Sequence, residues 1–356
     1  MSTPRSEPQS ERGRNSGSVL IIVAWTLLAL SVLSLAVSVH VSANLRTAGS
    51  LASRCETYYA ARAGVAVAIA SVSGETNGWD GFEEPWHGDE KRFSRVQVGR
   101  AMFTVSCSNR WDEAGSVSAL GLVDEEGKVN VNAATNALGA ELLRSLMELA
   151  GNMDRDEAER IAACVADWID GDDEPRKNGA ENGYYMGLGR PYRCHNDRID
   201  SLAELRFVRG INGELFEKIQ KHMTVFGTNV SININTANRT VLASLTGANG
   251  STPRDVCRAV AERIVEFRER GNSLKSLKKR EIRNELFGPN DPSGGERAEW
   301  AALEWLLNHR MVAVHSRHVC GISTGRSAGT ETETADRCIS FVYDRKRNEM
   351  RAWNER

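Results

Sequence analysis

The chain has 356 residues, 26% of them charged and 41% hydrophobic, with a formal net charge of −2. So small a charge gives no sign of nucleic-acid or acidic-ligand partners, and the length allows more than one domain or one large one. Seven cysteines, an odd number, leave at least one thiol free or intermolecular, and no CxxC or Cys/His spacing suggests zinc.

A polar leader carrying Arg5, Arg12 and Arg14 precedes an uncharged apolar run from Val19 to Val39. About 20 apolar residues at a 1.5 Å rise match the ~30 Å hydrocarbon core of a bilayer. The positive-inside rule puts the amino terminus in the cytoplasm and the bulk of the chain across the membrane. No proline occurs between Pro8 and Pro85. Leu45, Ala48, Ala52, Cys55, Tyr59, Ala63, Ala66 and Ile69 then recur at helical spacing as an apolar stripe. The pattern predicts one helix over Ser18–Val72, roughly 80 Å long at 1.5 Å per residue. A bare anchor would not need the amphipathic half; a subunit that packs its helix into a fibre would. Val41-Ser42-Ala43 resembles a secretory cleavage site, but the apolar run exceeds the usual ~7–15 residues of such signals.

The leader ends in Gly17 and the apolar helix follows at once, which resembles a type IV prepilin-like signal. The resemblance implies cleavage by prepilin peptidase between Gly17 and Ser18, with Ser18 as the methylated first residue. Most pilins carry Glu at the fifth mature position, where this chain has Ile22. In the family that Glu pairs with the amino-terminal charge of the preceding subunit, so its absence suits a subunit with no predecessor. The departure is typical of the K-type minor pseudopilins of type II secretion systems.

Beyond the helix, Ser73 to Glu90 reads as a loop rich in Gly and acids, with Trp79, Phe82 and Trp86. Phe93 to Ser108 alternates apolar and polar residues around Gly99-Arg100, as a hairpin does, and Ser116 to Val123 reads as a third strand. β character returns at Met311–Ile322, then a polar loop at Ser323–Asp336, then Cys338–Tyr343 and Met350–Trp353. A sheet interrupted in this way implies an insertion. Cys320 and Cys338 flank the expected hairpin and are the best candidates for a disulfide.

The intervening region, about Lys128 to Asn308, contains a repeat. Val129-Asn130-Val131-Asn132-Ala133-Ala134 matches Ile232-Asn233-Ile234-Asn235-Thr236-Ala237 at an offset of 103, and Ala158-Glu159-Arg160-Ile161 matches Ala261-Glu262-Arg263-Ile264 at the same offset. Ser201-Leu202 and Leu205 match Ser273-Leu274 and Leu277 at an offset of 72, so the first unit holds 31 extra residues. Each unit reads as an Asn-capped helix start, a second helix and a third led in by Ser-Leu, the two sharing one core. The motif with Val208-Arg209-Gly210-Ile211 also resembles helix-hairpin-helix DNA-binding modules. From Asn130 to His222, however, 12 Lys and Arg face 17 Asp and Glu, a net of −5 that would repel a duplex.

The extra residues fall around Asp170–Ile199. Asp167, Asp170, Asp172, Asp173 and Glu174 open the loop, with Glu181 following. Carboxylates that close either splay into water or are gathered by a hard cation, and Ca²⁺ takes about six to eight oxygens in tolerant geometry. With Asp170 as position one, Asp172, Glu174, Arg176, Asn178 and Glu181 fall on an EF-hand-like frame, but Pro175 stands where that frame needs Gly. The expected metal ligands are Asp170, Asp172, Asp173, Glu174 and Glu181.

DEEGKVNVNAAT (Asp124–Thr135), ADWIDGDDEPRKNGAENGYY (Ala166–Tyr185), DSLAELRFVRGI (Asp200–Ile211) and SININTANRTVL (Ser231–Leu242) resemble K-type pseudopilin motifs in the family's order. The resemblance implies an α+β fold: a pilin-like long N-terminal helix and antiparallel sheet, with a large all-α insertion of two helix-hairpin-helix or SAM-like repeats. The expected divisions are leader 1–17, helix 18–72, first β part 73–128, helical insertion 129–308 and return strands 309–356. It further implies calcium binding, a place at the pseudopilus tip beside the I- and J-type minor pseudopilins, and contact with the major pseudopilin, the inner-membrane assembly platform and prepilin peptidase. No nucleic acid is expected, and a membrane-anchored helix-hairpin-helix DNA-binding protein is the alternative. An enzyme is not expected. The histidines are scattered, His315 and His318 would point to opposite faces of one strand, and no Gly-rich phosphate loop, GxSxG or HExxH occurs.

Overall fold

A computed structural model describes residues 16–74, 77–107, 119–227, 230–290, 292–328 and 336–356. Most of the leader, the start of the expected third strand and residues 329–335 of the expected Ser323–Asp336 loop lie outside them, and the first five residues of that loop are strand instead. The proline-free N-terminal stretch is helical over Ser16–Ser73 (α1). The described chain divides into two units, one ending at Glu56 and the other running Thr57–Arg356. In the first, the apolar side chains from Val19 to Val41, Ile22 among them, are exposed. Among the described residues this is the one helix long and apolar enough to cross a membrane.

In the second unit, a short helix α2 (Glu90–Phe93) leads into the hairpin β1 (Val96–Val98) and β2 (Ala101–Cys107), turning at Gly99 with φ +62°. The expected third strand is broken into β3 (Ala119–Leu120) and β4 (Val123–Asp124). The break is at Gly121, where φ is +96° and a Cβ would lie 2.3 Å from the Trp86 carbonyl oxygen. The helical region then runs through β5 (Val129–Asn130), α3 (Ala137–Ala150), α4 (Arg155–Ile169), α5 (Asn182–Tyr185), α6 (Gly213–Ile219) and β6 (Met223–Thr224). It continues through β7 (Ile232–Asn233), α7 (Arg239–Gly247), α8 (Arg254–Glu269), α9 (Lys279–Phe287), α10 (Glu296–Asn308) and β8 (Val312–Ala313). The chain returns as β9 (His318–Ser327), β10 (Arg337–Asp344) and β11 (Glu349–Glu355), completing an antiparallel sheet of order β1-β2-β9-β10-β11.

Two apolar cores follow from this order. Phe93, Phe103, Val105, Leu122, Ile339 and Phe341 are buried between the sheet and the end of α1. The helical region has one core of its own, drawn from α3, α4, α7, α8 and α10 together. The sequence repeat recurs in structure. β5 pairs in parallel with β6, and β7 with β8, so each unit opens and closes on a two-residue strand pair. Asn132 holds Ile199 through both ends of its amide, receiving N–H (2.9 Å) and donating to C=O (3.0 Å). Asn235 holds Leu274 in the same way, at 2.9 Å in both directions. The expected third helices do not start at the Ser-Leu pairs. Ser201 caps only a 3-10 turn, Leu202–Phe207, and Leu274 precedes α9 by a non-helical segment because its backbone is engaged by Asn235.

Three other expectations are corrected. The face of α1 packed on the sheet is Thr57, Ala60, Ala61, Gly64, Val65, Ala68 and Val72, while Tyr59 and Ala66 of the expected stripe are exposed. Close approach selects the smallest side chains over the largest apolar ones. A Cβ on Gly64 would lie 2.2 Å from Ser323 Oγ, and one on Gly325 would lie 1.9 Å from the Thr57 carbonyl oxygen. Cys320 and Cys338 do not pair: both are free thiols, and the register sets Cys320 opposite Val342 and Cys338 opposite Thr324. That four-residue stagger separates them by about 13 Å at ~3.3 Å per residue, beyond the ~7 Å reach of a disulfide. His315 precedes β9 rather than sharing it with His318. Its ring faces Asp80 at 2.8 Å, and that of His318 faces Glu126 at 3.0 Å.

Since the neighbour at Gly325 is backbone, which cannot swing aside, Gly325→Ala should destabilise the protein by about 1–3 kcal/mol. Gly213→Ala, with nothing within 4 Å of the added Cβ, should be neutral or slightly stabilising. Denaturant titration of the full chain in detergent checks both, and equal stability of the two variants would refute the close-packing argument.

Candidate functional site

The acidic loop is assembled from the end of α4 and the start of α5. Asp167, in the last turn of α4, is fully buried and accepts from the Arg176 backbone N–H (3.2 Å) and from Arg176 Nη1 (2.8 Å). Gly179 is needed beside it, because a Cβ there would lie 1.8 Å from Asp167 Oδ2. Burial raises the Asp167 carboxyl above its ordinary value despite the guanidinium. Arg176 Nη1 also contacts Asp170 Oδ2, while Asp170 Oδ1 is buried and has no hydrogen-bond partner.

Glu181 occupies the position before α5 but does not cap it. It is only 3% exposed, and neither carboxylate oxygen receives a hydrogen bond. The neighbouring Cys194 thiol points to the Asp167 carbonyl oxygen instead, at 3.6 Å. Desolvation first, then the charges of Asp167 and Asp170, push the Glu181 carboxyl up to about 7. Oxygens of Asp170, Asp172 and Glu181 lie within 4.8 Å of one another. Asn196 borders them: its Nδ2 donates to the Asp172 carbonyl oxygen (2.7 Å), and its Oδ1 is buried without a partner.

Of the five expected ligands, three meet. Asp173 turns away to accept from Asn182 Nδ2 at 2.6 Å and from Asn196 Nδ2 at 3.1 Å. Glu174 is exposed and outside the group. The EF-hand-like frame is kept at its first, third and twelfth positions, while at the seventh Arg176 brings a cation to the carboxylates. Asp167 and Asn196 were not among the expected residues; the proximity of Asp167 to the loop was the available signal, whereas Asn196 lies too far along the chain for any spacing rule. A carboxylate cluster with partnerless buried oxygens and an amide oxygen beside it fits a hard divalent cation such as Ca²⁺.

Glu181 makes the sign of the pH dependence definite. An acid whose folded pKa lies above its unfolded value binds more protons folded than unfolded, so stability falls as pH rises. The window runs from the ordinary 4.5 to about 7. In chelator-treated protein, Glu181→Gln should therefore melt higher than the unsubstituted chain at pH 8 and lose this advantage toward pH 4.5. Melting temperatures of the two proteins across that range check it, and parallel curves would exclude a buried, partnerless Glu181.

Residues 122–228 match the family model "Type II secretion system (T2SS), protein K". The type II secretion system protein K of Pectobacterium carotovorum subsp. carotovorum is 33% identical over 180 residues, 49% of this chain and 52% of that protein. That of Dickeya chrysanthemi is 35% identical over 98 residues, 27% of this chain and 26% of that protein. The chain thus spans about half the length of the first of these relatives and about a quarter of the second. A chain of the GspK-GspI-GspJ complex from enterotoxigenic Escherichia coli has the same fold, with a TM-score of 0.58 at 16% identity, over 87% of this chain and 97% of that one.

Proposed function

We propose that this chain, whose residues 122–228 match the type II secretion system protein K family model, is a minor pseudopilin at the tip of a type II secretion pseudopilus. There it initiates or caps the fibre that helps export folded proteins across the outer membrane. The observation that carries the proposal is the joining of an exposed, membrane-length apolar stretch of α1 to a sheet domain in the fold of a chain of the GspK-GspI-GspJ complex. The apolar stretch anchors the chain in the inner membrane by a single pass, with its amino terminus cytoplasmic. Prepilin peptidase cuts between Gly17 and Ser18, and Ser18 becomes the methylated first residue. Ile22 lacks the carboxylate that would seek a preceding subunit, and a helical region of this size fits a fibre's end better than its side.

The partners are the I- and J-type minor pseudopilins, in keeping with the complex from which the structural relative comes, together with the major pseudopilin and the assembly platform. Residues 129–308 form the insertion, its two units being helix-hairpin-helix or SAM-like repeats used as packing devices. Calcium, held by Asp170, Asp172 and Glu181 with Asn196 beside them, draws the carboxylates together and braces the loop.

The test is co-purification of the full chain, in detergent, with the I- and J-type ectodomains of the same genome. A stable 1:1:1 complex is expected, and failure to associate, or regular spacing of the chain along the fibre shaft, would overturn the tip role. For the metal, chelator should lower the melting temperature of the unsubstituted chain, and Asp170→Ala with Asp172→Ala should abolish that response. An unchanged response would remove calcium from this loop while leaving the tip role intact.

A further inference from the structure

The second Asn motif opens on a cavity of about 400 Å³, far in sequence from the acidic loop. Its walls come from β4 and the turn after it, from the end of the first helical unit, and from the start of α7 and the last turns of α8. Of the cations that line it, two have their charge answered. Lys128 is paired with Glu125 at 2.5 Å, and Arg239 with Glu262 at 3.0 Å. The other two, Lys221 and Arg268, have no carboxylate partner among the described residues. Of the acids that share the walls, Glu269 acts on Arg268 by its charge but forms no ion pair with it among the described residues. Asp124 is buried, its Oδ2 engaged by Asn233, Thr236 and Ser316, while Glu269 is exposed.

Arg268 is held in a particular orientation. Its Nη1 donates to the carbonyl oxygens of Ile234 (3.1 Å) and Ala237 (2.7 Å), which uses both hydrogens on that nitrogen. The Phe82 ring lies 5.7 Å from the guanidinium carbon. The edge formed by Nε and Nη2 is left over, and that edge is the fork that matches a carboxylate or phosphate through two parallel hydrogen bonds. Asn238 adds two contributions. Its Oδ1 caps α7 by accepting from the Val241 N–H at 2.9 Å, leaving the N–H groups of Arg239 and Thr240 without an acceptor inside the helix. Its Nδ2 lies 2.9 Å from His222 Nδ1, and since an amide nitrogen can only donate, that ring nitrogen accepts and the proton sits on Nε2. Buried His222 is thereby kept as a neutral hydrogen-bond donor. Phe82, Val123 and Val265 supply apolar wall.

We propose that this cavity binds a small organic oxyanion, with a carboxylate or phosphate head on the free edge of Arg268 and the Lys221 ammonium, and an apolar body against Phe82 and Val265. The volume falls in the range of small-molecule sites, about 300–1,000 Å³. The site is separate from the acidic loop and does not depend on the secretion role, so its failure would leave both untouched.

The experiment is calorimetric titration of the full chain in nonionic detergent with benzoate, phenyl phosphate and benzyl alcohol. The three share a ring and differ in carboxylate, phosphate or no charge. One anion, or both, should saturate at one per chain while the alcohol does not, and the stronger of the two identifies the head group. Lys221→Gln, at a partly exposed residue that holds nothing in place, should weaken binding about tenfold. Arg268→Lys keeps the charge without the fork and should weaken it similarly, with a melting curve confirming the fold. Absence of saturation by either anion at about 10 mM, or unchanged binding in Lys221→Gln, would overturn the proposal.

Discussion

Asp124 governs how the helical region meets the sheet. It ends β4, is almost wholly buried, and gathers on one oxygen Asn233 Nδ2 at 2.9 Å, Thr236 Oγ1 at 2.5 Å and the Ser316 hydroxyl. Asp124 itself belongs to the sheet's first half, and the donors come from the second repeat motif and the returning chain just before β9. A buried carboxylate left without them would cost several kcal/mol, so the three segments are obliged to converge. Even so, burial pushes the group up to about 6. Asp80 repeats the arrangement nearby, accepting from the Ser316 N–H and Arg345 Nη1, each at 2.5 Å, while its own N–H donates to the Val314 carbonyl oxygen at 2.6 Å. Ser316 thus serves both carboxylates, and the chain leaving the helices has one way to enter the sheet.

Steric closeness does for α1 what polar convergence does at this junction. The helix segment from Thr57 lies on the sheet through Ala and Gly, with Gly325 of β9 against the Thr57 carbonyl oxygen. Directional polar groups are few on that contact, so its precision comes from excluded volume. The two constraints meet on β9, which carries Gly325 under α1 and begins two residues after Ser316. β9 lies between β2, which comes before the helical region, and β10, which comes after it. Pairing of β2 with β9 therefore requires the two ends of the helical region to be held together.

Much of this was legible in sequence, for physical reasons that differ by element. Gly99 between two alternating runs marked the β1–β2 hairpin, because period-two burial and a positive-φ turn leave a direct composition signal. The 103-residue offset was visible because both Asn motifs perform one task, clamping a backbone residue about 40 to 70 positions further on. What the clamp holds was not legible: Ser-Leu looked like a helix start, and only the fold shows Leu274 already engaged. The closing strand β6, two residues long, carries no periodicity at all, whereas β8 falls inside the Met311–Ile322 stretch expected to be β. The apolar stripe of α1 was misread because hydrophobicity ranks Tyr59 above Ala60 and Gly64, whereas a close helix–sheet contact ranks them in reverse. For the acidic loop, spacing found Asp170, Asp172 and Glu181, but it could not show that Asp173 would be drawn to Asn182 and Asn196, since that depends on how the loop folds back.

The loop also explains why the first repeat unit could grow without losing its core: its clamp spans 67 residues, from Asn132 to Ile199, against 39 from Asn235 to Leu274. Its base is closed independently of its contents: the Asn196 N–H donates to the Trp168 carbonyl oxygen at 3.1 Å, and Asn132 grips Ile199 just beyond. Tyr185 and Ile199 are buried in the shared core, and Trp168 packs edge-on against Tyr185 with ring centroids 5.1 Å apart. Loop-closure entropy rises only slowly with length once the ends are fixed, so the added residues cost the unit little. What they leave unresolved is charge. Asp167 has Arg176, and Asp173 has two amides, but the buried oxygens of Glu181 and Asp170 Oδ1 have no donor. With the base already pinned, a cation bound there would have only the interior of the loop left to organise, and its removal would loosen the surface around residues 170–181 well before it disturbed the helices beneath.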